Sequence, residues 1–257
     1  MKRIISIALM IAMLAMSVCA FASCEAVTAA SAIKKADEAL LKAPYTVTMS
    51  MNFESDNAEM NEIFDAMSME IPVTVDGENV AMNLTTETMG MSIGLNMIIV
   101  DKVLYYDMDF LGQNMKMKAT LTDEQYKEIN EESNTQLPIS SANFETLTLE
   151  TVDGKQVITC TGITTEGTEA LNKMMNESVG EMGAEAAISD LSFKITIADG
   201  KYETMALTVT YSMTVAGETY TVSMTMNAKY TYDNVKPVTV PADADSYEEV
   251  SYDDIMG

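Results

Sequence analysis

Methionine is the residue type in this chain whose spacing most often suits a chemical role. The 257 residues include 24 methionines, and many form M-x-M pairs such as Met115 with Met117 and Met224 with Met226. Thioether sulfur is a soft ligand that suits Cu(I). Residues i and i+2 of a strand share one face, so the same spacing also arises wherever methionine fills a core. The chain has no Trp and only six Phe, so we expect most of these side chains to fill a core.

A methionine-lined interior also suits a promiscuous hydrophobic ligand, because flexible thioether side chains adapt to different shapes. Eight residues at alternating strand positions are the predicted lining of such a site: Met49, Met51, Met82, Met205, Leu207, Met213, Met224 and Met226. We expect this site to need no metal and no cofactor.

Cys24 is a candidate for lipid attachment, because it directly follows a predicted export signal. Lys2 and Arg3 form a short positive segment, residues 4–16 are apolar apart from one Ser, and small residues precede Cys24. The apolar run is too short to span a bilayer comfortably, so we expect residues 1–23 to be cleaved as a signal peptide. Residues 21–24, Phe-Ala-Ser-Cys, resemble a lipobox, whose cysteine receives diacylglycerol. The alternative is an A-x-A cleavage site at residues 20–22, which would release a soluble protein with two free thiols.

The sequence matches a catalytic motif but lacks a residue that the motif needs for catalysis. Residues 90–94 match G-x-S-x-G, but the chain contains no histidine, so no Ser-His-Asp triad can form. The missing histidine also removes the commonest general base and zinc ligand. Cys160 stands in an apolar-alternating segment, which is typical of a buried thiol. We therefore predict a protein without enzymatic activity.

Acidic residues dominate the charge of the chain. There are 39 acidic and 15 basic residues, a formal net charge of −24, and removal of the predicted signal leaves 13 basic residues and a net charge of −26. This sign excludes nucleic-acid binding and charge-driven attachment to an anionic membrane. Asp243, Asp245, Glu248 and Glu249 do not match an EF-hand loop, which needs glycine where Glu248 stands, so we interpret them as part of a solvated tail.

One short helix and many strands must position these residues. A buried helical face is predicted for Ile33, Ala36, Leu40 and Leu41. Pro44 ends this helix, and the apolar period becomes two from Tyr45 onward. Thr122 and Gln125 form a capping box that predicts a second helix. Long strands over residues 191–230 favour a curved antiparallel sheet with one apolar face.

These elements predict an α+β fold with a single main domain. We expect a signal peptide at 1–23, a lipidated N terminus and linker at 24–30, an antiparallel-sheet domain at 31–235, and an acidic, Pro-containing tail at 236–257.

The order of these features resembles a known group of proteins. Cys24 in its lipobox-like setting, one helix, long antiparallel strands with inserted helices, and the segment from Tyr232-Asp233-Asn234 to Val240-Pro241 are similar to Firmicutes lipoproteins of the DUF6612 kind. Those proteins resemble in layout the LolA/LppX-like carriers of lipids and lipoproteins. The resemblance implies a half-barrel whose concave apolar face is plugged by short helices and can hold an acyl chain.

The sequence therefore predicts an exported lipoprotein on the outer face of the cytoplasmic membrane, which binds or carries a hydrophobic ligand without catalysis. One alternative is a structural or adhesive envelope module, with a filled interior, that binds a protein or a glycan through the outer face of its sheet. A second alternative is Cu(I) binding, which requires exposed thioether clusters. Secretion as a soluble protein is the alternative location.

Overall fold

The computed structural model describes residues 26–58, 61, 64, 69–88, 91–110, 112–133, 144–169, 171–172, 185–215 and 218–256. The predicted signal peptide and Cys24 lie outside these described residues, and so does the first residue of the G-x-S-x-G match. None of the helices in the described ranges combines the length and the apolar character that crossing a membrane requires.

Twelve strands form one large, curved, unclosed sheet, which confirms the predicted antiparallel architecture. The strands are β1 (Tyr45–Ser55), β2 (Met69–Asp76), β3 (Asn79–Thr88), β4 (Met91–Val100), β5 (Val103–Phe110), β6 (Gln113–Thr120), β7 (Phe144–Val152), β8 (Lys155–Ile163), β9 (Glu185–Ala198), β10 (Lys201–Val215), β11 (Glu218–Thr231) and β12 (Glu248–Glu249). Their order across the sheet is β12-β6-β5-β4-β3-β2-β1-β11-β10-β9-β8-β7. Neighbouring strands are antiparallel, except that β12 runs parallel to β6.

The chain builds this sheet as two meanders that meet at β1 and β11. Strands β1 to β6 lie side by side in chain order, and β7 to β11 do the same on the other side. The seam between them runs from Thr46 opposite Thr231 to Ser55 opposite Val222. Because side chains on paired strands alternate in step, the two meanders share one continuous apolar face.

Tight turns of left-handed backbone connect several neighbouring strands. Asp153 and Gly154 have φ angles of 51° and 78°, and Asp199 and Gly200 have φ angles of 52° and 72°. Two successive residues with positive φ match the type I′ turn, whose twist suits a two-residue hairpin. The positions of both turns can therefore be identified in the sequence from their Asp-Gly dipeptides.

Within the described ranges, three helices can be followed from end to end: α1 (Ala26–Leu40), α2 (Asp123–Ser133) and α3 (Tyr252–Met256). Residues 165–169 and 171–172 are also helical. The predicted capping box of α2 is confirmed. The Thr122 backbone N–H donates to Gln125 Oε1 over 2.9 Å, and the Gln125 backbone N–H donates to Thr122 Oγ1 over 3.1 Å. This exchange satisfies two of the backbone donors that a helix start leaves open.

The boundaries of α1 differ from the sequence prediction at both ends. The helix begins at Ala26, so most of the segment predicted as a linker at 24–30 is helical. The prediction that Leu41 shares the buried face is wrong, since Leu41 follows the last helical residue and is 88% exposed. Ile33 and Ala36 are buried as predicted, because they lie one turn apart on the side that meets the sheet.

The acidic segment predicted as a separate tail packs against the sheet. Residues 235–256, called the C-terminal strap, contain a short 3₁₀ helix, β12 and α3. The ring of Tyr247 is 6% exposed and meets the ring of Tyr105 edge-on at 5.4 Å. The Val250 backbone N–H donates to the Lys118 carbonyl over 2.9 Å. The strap therefore covers the edge of the sheet at β6.

Candidate functional site

The candidate site lies on the apolar face of the sheet, called the inner face. At its centre, Met69, Met51, Met226 and Leu207 are successive partners on β2, β1, β11 and β10, and we call them the central methionine row. Met51, Met226 and Leu207 are 3%, 6% and 5% exposed. Three neighbouring strands thus place flexible thioether side chains side by side in the middle of the core.

The structure brings the eight predicted lining residues to this same face. Six of them are buried in one hydrophobic cluster: Met49, Met51, Met82, Met205, Leu207 and Met226. Met224 is half-buried and packs against that cluster. Met213 is also half-buried and lies further along β10, opposite Tyr220. Seven of the eight predicted residues therefore form one connected region, and Met213 lies outside that cluster.

Helical residues pack onto the inner face. The buried side of α1, including Ala29, Ile33 and Ala36, belongs to the same hydrophobic cluster as the central methionine row. The ring of Phe64 lies 5.5 Å from that of Phe53 near the end of β1, measured between centroids. The inner face is thus a layer between the curved sheet and short helices, as predicted.

A buried polar contact ties α1 to the sheet. The Tyr202 hydroxyl of β10 lies 2.6 Å from Asp37 Oδ1 and 3.4 Å from the Ile33 carbonyl oxygen. Burial raises the pKa of Asp37 above its ordinary value, and the hydrogen bond from Tyr202 partly opposes that rise. Desolvation disfavours the charged form of a carboxyl group, so this position favours a protonated Asp37 more than water would.

Tyrosine rings gather beside this contact at one end of the inner face. The ring centroid of Tyr230 lies 5.5 Å from that of Tyr202 and 6.1 Å from that of Tyr45, and Tyr232 lies 6.3 Å from Tyr45. Burial raises the pKa of Tyr45 to about 12, and burial together with Tyr45 raises the pKa of Tyr232 to about 12. These hydroxyls remain neutral at physiological pH, so the cluster supplies packing and hydrogen bonds without charge.

A second group of methionines occupies the inner face near the other end of the sheet. Met97, Met108, Met115 and Met117 lie on β4, β5 and β6, and we call them the edge methionine patch. Met108 is the direct partner of Met115, while Tyr106 stands between Met97 and Met117. Met115 is 44% exposed and the other three are half-buried. This patch is therefore more open than the central methionine row.

The predicted lining set missed the edge methionine patch. Met115 and Met117 form an M-x-M pair on β6, and that pair was visible in the sequence as two residues on one strand face. What the sequence did not reveal is that β5 would place Met108 directly opposite Met115.

The thiol of Cys160 lies on the inner face between its partners Leu147 and Phe193. It is fully buried, and burial raises its pKa to about 11. A thiol with a raised pKa holds little thiolate, which is the reactive form. Within the described ranges, no group of three or more His, Cys, Asp or Glu side chains could hold a metal ion.

Comparison with known proteins gives the family of the chain. The sequence model of DUF6612, a family of unknown function, matches residues 26–248. The chain belongs to this family. The DUF6612 match runs from the first residue of α1 to the first residue of β12, so it includes the whole inner face.

Solved structures show only remote likeness to this DUF6612 protein. The ywiB protein from Bacillus subtilis is 9% identical, with 73% of this chain and 91% of that chain covered and a TM-score of 0.19. MucB in complex with MucA(peri) is 9% identical, with coverages of 82% and 96% and a TM-score of 0.12. No curated protein matches the chain. The interpretation of the site therefore depends on its own residues.

Proposed function

We propose that this DUF6612 protein is an exported, non-enzymatic lipoprotein that binds or carries a hydrophobic molecule on the inner face of its sheet. The observation that supports the proposal most is the central methionine row, where Met51 and Met226 are direct partners in the middle of the layer between sheet and helices. A ligand of the acyl-chain type fits this chemistry, because each buried methylene contributes about 0.8 kcal/mol.

Methionine suits such a site better than a branched side chain does. Its three rotatable bonds allow the side chain to change rotamer and to pack around a bound ligand, whereas a core of branched side chains accommodates a ligand of one shape. The central methionine row places three thioethers on three adjacent strands. An acyl chain would displace these side chains from one another and lie against α1.

The position of α1 supports an origin of the ligand in the membrane. Cys24 stands two residues before the first residue of α1 in the sequence, and two residues span at most about 7 Å. If lipid is attached to Cys24, the N terminus of α1 is held close to the membrane surface. The strong negative charge of the chain makes attachment by lipid more favourable than attachment by charge. A LolA/LppX-like carrier layout is part of the same proposal.

A fluorescent fatty acid, parinaric acid, tests the ligand site directly. Met224 and Ser223 are neighbours on β11, both half-buried, but they point to opposite faces of the sheet. We expect Met224→Glu to weaken parinaric acid binding, because it brings a carboxylate to the inner face, and the matched Ser223→Glu variant to bind like the parent. Circular dichroism checks that both variants fold. Equal binding by the two variants would contradict the proposal.

A row of hydroxyl side chains on the outer face favours a second candidate function, adhesion to a glycan. Five residues on five adjacent strands are successive partners in this row: Thr225, Thr208, Ser192, Thr161 and Thr146. Such a row presents donors and acceptors at the strand spacing of about 4.8 Å.

Co-sedimentation with purified peptidoglycan tests this candidate. We expect Thr208→Val with Thr161→Val to reduce co-sedimentation if the outer face is adhesive, while parinaric acid binding stays unchanged. Absence of co-sedimentation by the parent protein would remove the candidate.

A further inference from the structure

We infer that the edge methionine patch is a binding site for a soft monovalent metal ion, Cu(I). This site adjoins the proposed hydrophobic ligand site, because Met97 is the direct partner of Met82, and it uses Met97, Met108, Met115 and Met117 on three neighbouring strands. The chemical basis is ligand softness, since thioether sulfur selects Cu(I) over the hard cations that prefer oxygen.

The register of the strands places Met115 and Met117 of β6 beside Met108, with Met97 on the other side of β5. Met108 and Met115 are direct partners, and direct partners have Cβ atoms about 4.5–5.5 Å apart. Met97 and Met117 lie on the two strands next to Met108 and are displaced from it by two residues, so each is a diagonal neighbour of Met108 at about 7–8 Å. Unbranched methionine side chains with three rotatable bonds can close these gaps.

The exposure of the patch distinguishes it from a core that merely uses methionine as filler. Met115 is 44% exposed, whereas Met51 and Met226 in the central methionine row are 3% and 6% exposed. A single exposed apolar side chain is ordinary on a protein surface, so what sets Met115 apart is that it is both exposed and directly paired with a second methionine, Met108. A thioether that stays open to water is accessible to an ion.

The sulfur of Met108 already takes part in a polar contact. The Tyr106 hydroxyl donates to Met108 Sδ over 3.4 Å, which occupies one sulfur lone pair and leaves the other for an ion. The neighbouring β6 lysines occupy the opposite face: Lys116 pairs with Asp107 and Asp243, and Lys118 with the Ala244 carbonyl. Their positive charges therefore do not face the patch.

Histidine is absent from this chain, and the described residues offer no reactive thiol that would compete for Cu(I). Cys160 is fully buried on β8 with a raised pKa. The net charge of −24 raises the concentration of cations near the protein surface. Among the methionines whose exposure the structure describes, Met115 is the exposed one, so it is the most accessible thioether donor in that part of the chain.

Competition with the Cu(I) chelator bicinchoninate under anaerobic conditions tests the inference. We expect the purified protein to withdraw one equivalent of Cu(I) from the chelator. The variant Met108→Leu with Met115→Leu should lose affinity by about 10-fold or more, because it removes two donors while preserving apolar volume.

A matched control comes from the central methionine row. Met51→Leu with Met226→Leu also replaces two directly paired methionines, but at buried positions, and should bind Cu(I) like the parent. The inference is overturned if the parent takes no Cu(I), or if both double variants behave alike. Parinaric acid binding by the Met108→Leu, Met115→Leu variant should be unchanged, so loss of the copper site and loss of the lipid site are distinguishable.

Discussion

Asp37 and Tyr202 form the polar contact that fixes α1 on the inner face. Both residues were outside the predicted site, because a helical Asp and a strand Tyr carry no shared spacing in the sequence. Their contact joins positions 165 residues apart, and the hydroxyl-to-carboxylate distance of 2.6 Å places it among charge-assisted hydrogen bonds. The helix that covers the candidate ligand site is therefore held partly by one half-buried hydrogen bond.

Removing the Tyr202 hydroxyl tests this role. We expect Tyr202→Phe to lower the free energy of unfolding by about 1.5–3 kcal/mol at pH 7, because it leaves the Asp37 carboxylate without this donor. Urea unfolding measures the change. Tyr220→Phe is the control, since its hydroxyl contacts Glu218 at an exposed position, and it should change stability by less than about 0.5 kcal/mol. Equal effects of the two variants would contradict the role of Tyr202.

The raised pKa of Asp37 predicts a pH dependence of stability. A carboxyl group whose pKa is raised on folding stabilises the fold fully below its ordinary value of 3.8, and that contribution is lost as the pH rises through the folded-state pKa. We expect Asp37→Asn, which keeps an acceptor oxygen but does not ionise, to gain stability relative to the parent between pH 3 and pH 7. A difference in unfolding free energy that is constant over this range would refute the shift.

Exposure also predicts which methionine is oxidised first. Met115 is 44% exposed, while Met49 is 2% exposed in the core. Because oxidation to the sulfoxide follows access of the oxidant to sulfur, dilute hydrogen peroxide should modify Met115 well before Met49. Peptide mapping by mass spectrometry measures the order, with the unfolded protein as the reference in which both react. Simultaneous oxidation in the folded protein would contradict the assigned exposures.

At the scale of elements, most strands and turns could be predicted from the sequence. Which strands lie next to each other in the sheet could not. Alternation of apolar and polar residues identifies β9, β10 and β11, and Asp-Gly identifies two of the turns. Alternation does not say which strands pair. The seam between β1 and β11 joins distant parts of the chain, and it is this seam that assembles Met51 with Met226.

The C-terminal strap shows why some elements escape a sequence pattern. β12 has two residues and α3 has five, so neither has a period that can be recognised. Their conformations depend on contacts with the sheet, such as Tyr247 on Tyr105 and Val250 on the Lys118 carbonyl. A run of acidic residues near Pro241 therefore resembled a solvated tail, although the segment packs on β6.

Truncation tests the function of the strap as an edge cover. Removing residues 236–257 exposes the backbone of β6 and the ring of Tyr105, and an uncovered strand edge promotes pairing between molecules. We expect the truncated chain to unfold at a lower temperature and its sedimentation coefficient to rise with concentration more than that of the full chain. Asp243→Asn removes an exposed ion pair with Lys116 and weakens an exposed contact with the Ser246 hydroxyl, and it serves as the control, with little effect. Unchanged stability and sedimentation after truncation would contradict this function.

At the scale of the whole molecule, negative charge opposes the compact fold. The net charge of −24 contributes self-repulsion that dissolved salt screens over about 10 Å at 0.1 M. We expect the thermal midpoint to rise as sodium chloride increases from about 10 mM to about 500 mM. Potassium chloride should act alike, because screening does not depend on the identity of the cation. A midpoint that falls or stays constant with salt would contradict dominant self-repulsion.

The central claim is that the inner face, with its central methionine row, receives a hydrophobic ligand. Native mass spectrometry of the purified protein, compared with its mass after denaturation, tests this claim most directly. The account predicts an excess mass the size of a lipid, which organic solvent extracts and which returns after incubation with membrane lipids. A mass equal to that of the polypeptide alone, unchanged by membrane lipids, would contradict the claim.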